Sequence, residues 1–278
     1  MDLGIGVGRD LGGTRSMVNY GFDLTDQVAI ITGGGTGIGA ATARLFAQYG
    51  AHTVIASRKL ENLEKVAGEI ESTTDRRCLP IQCDVRDEDS VNAMVEQAFG
   101  SFGRIDILIN NSGGGYLFPL LDTPAEKWDN NIALNLRGPF LCTKAVGPHM
   151  IDAGGGRIVN ISSGAGVAGV RGGAAYSAGK AGLQMFTRVT AAEWGKFGIR
   201  CNAVAVGLVG NEGSRRSWAR QGLDENAIAA GFPLRRVGEP EDIAWPILFF
   251  VSTASDYVSG ETLYVNGGPS LGGLPDED

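Results

Sequence analysis

The stretch that most constrains this chain is residues 28–39, VAIITGGGTGIG, followed by the alanine-rich run AATARLFAQYG. A short β-branched apolar run reads as a strand buried on both faces. Gly33, Gly35, Thr36, Gly37, Ile38 and Gly39 then make a turn of nearly bare backbone that opens a helix. Ile38, Ala41, Leu45 and Tyr49 fall on one face of that helix, and Gly50 ends it. Such a turn offers unhindered N–H groups and the positive end of a helix to a pyrophosphate. Standing at a first strand, it predicts an α/β fold that binds a dinucleotide.

The same rhythm continues along the chain. Residues 53–57 (TVIAS) form a second buried strand, followed by Arg58, Lys59 and a helix over 60–70. A third strand at 79–83 delivers Asp84 and Val85 to the border of an adenine, and a helix covers 88–99. Residues 105–109 are a fourth strand with Asp106 just inside it, ending at Asn110-Asn111-Ser112-Gly113. One long helix is predicted over 128–150, bent at Gly138-Pro139, with the amide of Asn135 inside an apolar stretch. A fifth strand at 157–161 leads to Ser162-Ser163, a helix spans 176–194, and a sixth strand spans 200–206. Strands and helices alternating in this way make a parallel sheet covered on both faces. No composition shift divides residues 22–268, so a single domain is expected there. A glycine-rich arm precedes it over 1–21 and an acidic tail follows over 269–278. The Gly4-x-Gly6-x-Gly8 pattern in the arm has no strand before it and no helix after it, and reads as flexible chain.

Composition excludes several function classes. The net charge is −7 with no basic stripe, which argues against nucleic acid as a partner. Cys78, Cys83, Cys142 and Cys201 are scattered and there are only two histidines, so neither a metal site nor a disulfide framework is expected. No apolar run has membrane-spanning length, and no leader pattern opens the chain. A soluble cytoplasmic protein is the expectation.

Chemistry concentrates at Tyr176-Ser-Ala-Gly-Lys180. On a helix, tyrosine and lysine four residues apart project from one face. A phenol with its ordinary pKa near ~10 is a poor proton donor or base at neutral pH, and a nearby ammonium is expected to lower it. Ser163, upstream, is suited to hold a substrate oxygen within reach of the phenol.

Together these residues resemble the short-chain dehydrogenase/reductase family over residues 24–268. Thr32-Gly33-x-x-x-Gly37-x-Gly39 is similar to its cofactor loop, and Asn110-Asn111-Ser112-Gly113 to its Asn-Asn-Ala-Gly element. Asn135, Ser163, Tyr176 and Lys180 match its catalytic tetrad in order and spacing. The segments 233–242 and 259–268 match its C-terminal region. The resemblance implies a single-domain Rossmann-type doubly wound parallel sheet, seven strands in order 3-2-1-4-5-6-7, assembled as a homotetramer or homodimer. It implies that Tyr176 exchanges the proton at the reacting oxygen and that Lys180 tunes it and holds the nicotinamide ribose. Ser163 would orient the substrate, and Asn135 would hold a water on the proton path. Asn111, Ser112, Gly113, Gly207 and Val209 would border the cofactor.

Departures from the family pattern shape the remaining expectations. No acid stands at the end of the second strand; Ser57 and Arg58 suit a 2′-phosphate, so NADP(H) is preferred, with NAD(H) the alternative. Val206 replaces a proline and should loosen the backbone there, and Asn211 stands where a threonine commonly contacts the carboxamide. The polar segment over 207–233 is expected to be a substrate lid. Its Arg215, Arg216 and Arg220 are either a solvated face or the seat of an anionic handle such as a coenzyme A phosphate. The leading reading is a ketone/secondary-alcohol oxidoreductase with a small-molecule carbonyl or alcohol substrate. The rivals are an enoyl-CoA reductase, which the family resemblance suggests through Ser57-Arg-Lys-Leu60 and Gly113–Gly115, and a nucleotide-sensing protein without turnover.

Overall fold

All five residues of β1 (Val28–Thr32) are buried, and its side chains divide between two cores. Ala29 and Ile31 enter one, Val28 and Ile30 the other. Strand β4 (Ile107–Asn110) divides in the same way, with Ile107 and Ile109 against Leu108. Alternation of side chains across a pleated strand forces this split, and it requires helices on both faces of the sheet. The computed structural model describes residues 21–268. The acidic tail and all but the last residue of the glycine-rich arm lie outside the described residues.

Strands β2 (His52–Ser57), β3 (Cys78–Gln82), β5 (Gly156–Ser163), β6 (Ile199–Val206) and β7 (Thr262–Val265) complete the sheet. The order is β3-β2-β1-β4-β5-β6-β7 and every pairing is parallel, as expected. Helices α1 (Gly37–Gln48), α2 (Leu60–Thr73) and α10 (Pro240–Val251) cover one face. Helices α3 (Glu88–Phe102), α5 (Gly138–Asp152) and α7 (Ala174–Trp194) cover the other. The order reverses direction between β1 and β4, and a crevice opens at their C-terminal ends. Residues 207–236 run over that end and carry α8 (Glu212–Arg220) and α9 (Glu225–Ala229).

Three local expectations change. Strand β4 begins at Ile107, so Asp106 stands before it. There its carboxylate accepts from the Val28 amide at 2.8 Å and from the fork of Arg104 at 2.7 and 2.8 Å. The long helix begins earlier, as α4 (Ala125–Ile132), and passes through one π-helical turn, Ala133–Arg137, before α5. That turn, not Gly138-Pro139, is the irregularity, and Asn135 lies in it. Gly138 serves a different purpose, since a Cβ there would stand 2.9 Å from Val85. Finally, Val206 is not loosened. It is the buried last residue of β6 and pairs with Ser163 and Val265 on its two sides. Among the described residues no helix is long and apolar enough to cross a membrane.

Candidate active site

The glycine turn is stitched to the end of β4. Thr32 Oγ1 accepts from the amides of Asn111 and Ser112, both at 3.0 Å. Asn111 Nδ2 returns hydrogen bonds to the carbonyls of Thr32 at 2.9 Å and Gly33 at 3.3 Å. Gly33 has φ +68°, and a Cβ on Gly39 would overlap the Gly33 carbonyl, so only glycine lets α1 start this close to the strand. Helix α1 has no side-chain cap and no acid in its first turn. By contrast α3, α8 and α9 are capped by Asp87, Asn211 and Asp224. The unsatisfied N–H groups and positive end of α1 therefore open onto the crevice, an arrangement that fits the pyrophosphate of a dinucleotide.

The crevice has a volume of ≈530 Å³. It brings together Gly33, Thr36, Gly37, Ile38, Ser57, Arg58, Asp84, Val85, Asn111, Ser112, Gly113, Ser163, Tyr176, Lys180, Gly207 and Val209. Of the expected cofactor residues only Gly35 and Gly39 do not line it; Gly35 borders a neighbouring recess beside Asn62 and Lys65.

Helix α7 sets Tyr176 and Lys180 one turn apart, and β5 brings Ser163 to them. Lys180 is buried, with Nζ donating to the Ile161 carbonyl at 2.7 Å and standing 5.8 Å from the centre of the Tyr176 ring. Burial pushes its pKa down to about 8. Burial also pushes the Tyr176 phenol up from its ordinary value, while a hydrogen bond with the Ser163 hydroxyl works the other way. This corrects the expectation from spacing alone: desolvation governs the phenol, and the ammonium is itself weakened by the same dry surroundings.

Asn135 is fully buried and stands immediately behind the crevice wall. A Cβ at Gly113 would lie 3.0 Å from Lys180 Nζ and 3.1 Å from Asn135 Oδ1, so the three converge. Asn135 Nδ2 donates to the Gly114 carbonyl at 2.7 Å and to Asn131 Oδ1 at 2.7 Å. Asn131 is not among the expected site residues; with Tyr176 it flanks Gly115, the end of the glycine run Gly113–Gly115. Gly115 is wedged between them, since a Cβ there would meet Asn131 Nδ2 at 2.8 Å and the Tyr176 ring at 3.1 Å. A second asparagine one helical turn before Asn135 was the available signal.

At the other end Asp84 is engaged by Arg86 through bonds of 2.6–3.2 Å, which hold its carboxyl below the usual range with help from Arg58. Asn211 lines the crevice, with its Nδ2 facing Gly37. Its side chain caps α8, accepting from the Gly213 and Ser214 amides at 2.9 and 3.0 Å. Arg215 pairs with Glu225 and Glu239, and Arg216 with Glu212, so neither is a bare cation.

Comparison with known proteins agrees with this geometry. Residues 27–222 match the short chain dehydrogenase family. The chain is 40% identical over 249 residues to the peroxisomal 2,4-dienoyl-CoA reductase of Danio rerio, covering 89% of this chain and 83% of that one. It is 37% identical to an NAD-dependent glycerol dehydrogenase of Listeria innocua (90% and 96% covered). It is 38% identical to a 3-oxoacyl-[acyl-carrier-protein] reductase of Thermotoga maritima (88% and 98% covered). A crystal structure of a short-chain type dehydrogenase/reductase from Mycobacterium marinum superposes with a TM-score of 0.82 at 32% identity, covering 89% of this chain and 97% of that one. Fold, glycine turn and family match converge on one conclusion: this chain is an oxidoreductase of the short-chain dehydrogenase family.

Proposed function

We propose that this enzyme interconverts a ketone and a secondary alcohol, with NADP(H) as its preferred cofactor and NAD(H) as the alternative. Members of its family use nicotinamide dinucleotides, and the uncapped start of α1 together with the Ser57–Arg58 end of β2 would hold one. When bound, the nicotinamide supplies or accepts the hydride.

The observation that carries the reading is that Ser163, Tyr176 and Lys180 line one crevice together. Hydride arrival at a carbonyl carbon must be matched by a proton at oxygen. Tyr176 is the group that gives it, and burial keeps its phenol protonated at neutral pH. Ser163 holds the substrate oxygen beside the phenol. Lys180 lies one turn away, with its pKa pushed down to about 8 by burial, and offers a route by which a proton can be replaced. Asn135 braces the wall at Gly114, next to that lysine.

Ser57 leaves a 2′-phosphate unrepelled and Arg58 offers it a guanidinium, worth about 1.5–3 kcal/mol as a charge-assisted bond. Residues 207–233 serve as the substrate lid. Exposed Phe140, Met185 and Val189 on α5 and α7 support assembly as a homodimer or homotetramer. A cytoplasmic location accords with the composition.

The likeness to a 2,4-dienoyl-CoA reductase favours a second reading, enoyl thioester reduction. The phenol poised for oxygen chemistry ranks it second. A sensing role without turnover accords poorly with four site side chains kept in register. The test is turnover of NADPH and NADH against a panel of ketones, enoyl-CoA and dienoyl-CoA. Ketone-dependent oxidation of NADPH supports the reading; thioester turnover without ketone turnover replaces it.

A further inference from the structure

Next to the crevice, beyond Tyr176, the surface is apolar and exposed. The segment after β4 presents Tyr116, Leu117, Leu120 and Leu121, and the segment after β5 presents Val167 and Val170. These segments are joined: the Phe118 amide donates to the Gly172 carbonyl at 2.8 Å. Leu117 and Val170 meet over Gly173, where a Cβ would stand 3.3 Å from Leu117 Cδ2 and 3.4 Å from Val170 Cβ. Gly173 is three residues before Tyr176, whose ring edge lies against Gly115 of the same wall. On the opposite side the segment after β6 adds exposed Leu208 and Leu234.

Several polar side chains around this surface are already engaged, while Arg171 stands exposed beside Val170. Thr123 donates to the Pro119 carbonyl, and the Ser177 hydroxyl oxygen accepts from the Val170 amide at 3.1 Å. Asn211 Oδ1 and the Ser214 hydroxyl are engaged in the cap of α8, and Arg215, Arg216 and Arg236 are ion-paired. A small polyol needs several hydrogen-bonding groups around its reacting carbon, because each unpaired hydroxyl left in a dry site costs free energy. An apolar arm on the substrate would instead cover side chains now in water.

Building on the ketone/alcohol reading, we infer that the substrate carries an extended apolar arm, an alkyl, acyl or aryl-alkyl chain, seated on Leu117 and Val170. A small polyol is not the substrate. The occupant is the substrate's own arm because the patch adjoins Tyr176, whose ring lies against Gly115, while Leu117 and Val170 flank Gly173 three residues before it. Each buried methylene is worth about 0.8 kcal/mol, or roughly fourfold in kcat/KM.

The test measures kcat/KM for 2-butanone through 2-octanone, with glycerol oxidation alongside, for the native enzyme and for Leu117→Asp/Val170→Asp. Both substituted positions are exposed, and cofactor affinity and mass in solution are measured with each protein. The expected result is a rise of about two hundredfold over the four added methylenes. In the double variant the octanone-to-butanone ratio collapses toward one. A flat series, or glycerol used in preference to 2-octanone, overturns this inference and leaves the oxidoreductase reading intact. A steep series retained by the double variant also overturns it; if the variant's mass changes too, the patch is an interface between copies of the chain. Turnover of no ketone at all overturns the ketone/alcohol reading, and the inference falls with it.

Discussion

Asn135 holds both polar groups of Gly114: its Nδ2 donates to the carbonyl at 2.7 Å and its Oδ1 accepts from the amide at 3.1 Å. The orientation of the Asn135 amide follows, because only this way round does it match both groups. Its Nδ2 then faces Asn131, whose Oδ1 must be the acceptor. One asparagine thus fixes the wall beside Tyr176, and a second fixes the first.

The two asparagines should respond unequally to substitution. Asn131→Leu leaves Asn135 Nδ2 two acceptors, the carbonyls of Gly114 and Asn131. Asn135→Leu removes both bonds to the half-open Gly114 backbone, each worth about 0.5–1.5 kcal/mol net. Urea unfolding is therefore expected to show Asn135→Leu as the more destabilised protein by at least about 1 kcal/mol. Equal losses would show that the clasp on Gly114 contributes little.

Lys180 gives the stability a pH dependence whose sign is fixed by its burial. Its pKa falls from 10.5 in the unfolded chain to about 8 in the native state. Between those values the unfolded chain binds more protons, so stability rises with pH from about 8 to 10.5. The full cost of the buried charge, on the order of 3 kcal/mol, is present below that window. The raised phenol of Tyr176 acts in the opposite sense, but only above its ordinary value of 10. Unfolding free energies of native protein and Lys180→Met at pH 7 and 9.5 check this. The native protein should gain on Lys180→Met as pH rises; parallel behaviour would refute the assignment.

Cofactor choice should rest on Arg58. The native enzyme is expected to favour NADPH over NADH in kcat/KM by roughly ten- to a hundredfold. Arg58→Ala should bring the two to within a few-fold, chiefly through KM for NADPH. A preference that survives Arg58→Ala would mean that another group reads the 2′-phosphate.

The sequence disclosed the parts of this molecule that are local. The β-branched run of β1 and the glycines after it mark strand and turn directly, because burial on two faces and a bare turn leave compositional traces. The π-helical turn around Asn135 leaves none, since its residues, Ala133–Arg137, are ordinary helix formers whose bonding is set by the packing around them. The ion pairs of Arg215 are not legible in the sequence because its partners, Glu225 and Glu239, are brought to it by the fold. The protonation of Tyr176 was misjudged for a related reason. Spacing shows that a lysine is near, but not that both groups are desolvated.

The central claim is that Tyr176 passes the proton that accompanies hydride transfer, and Tyr176→Phe tests it most directly. The phenyl ring keeps the packing against Gly115 and removes only the hydroxyl beside Ser163. Melting temperature and NADPH affinity should stay close to the native values. Ketone turnover should fall by about 10²–10⁴-fold, the range typical of a positioned general acid. A folded, cofactor-binding Tyr176→Phe enzyme with near-native kcat would contradict the account.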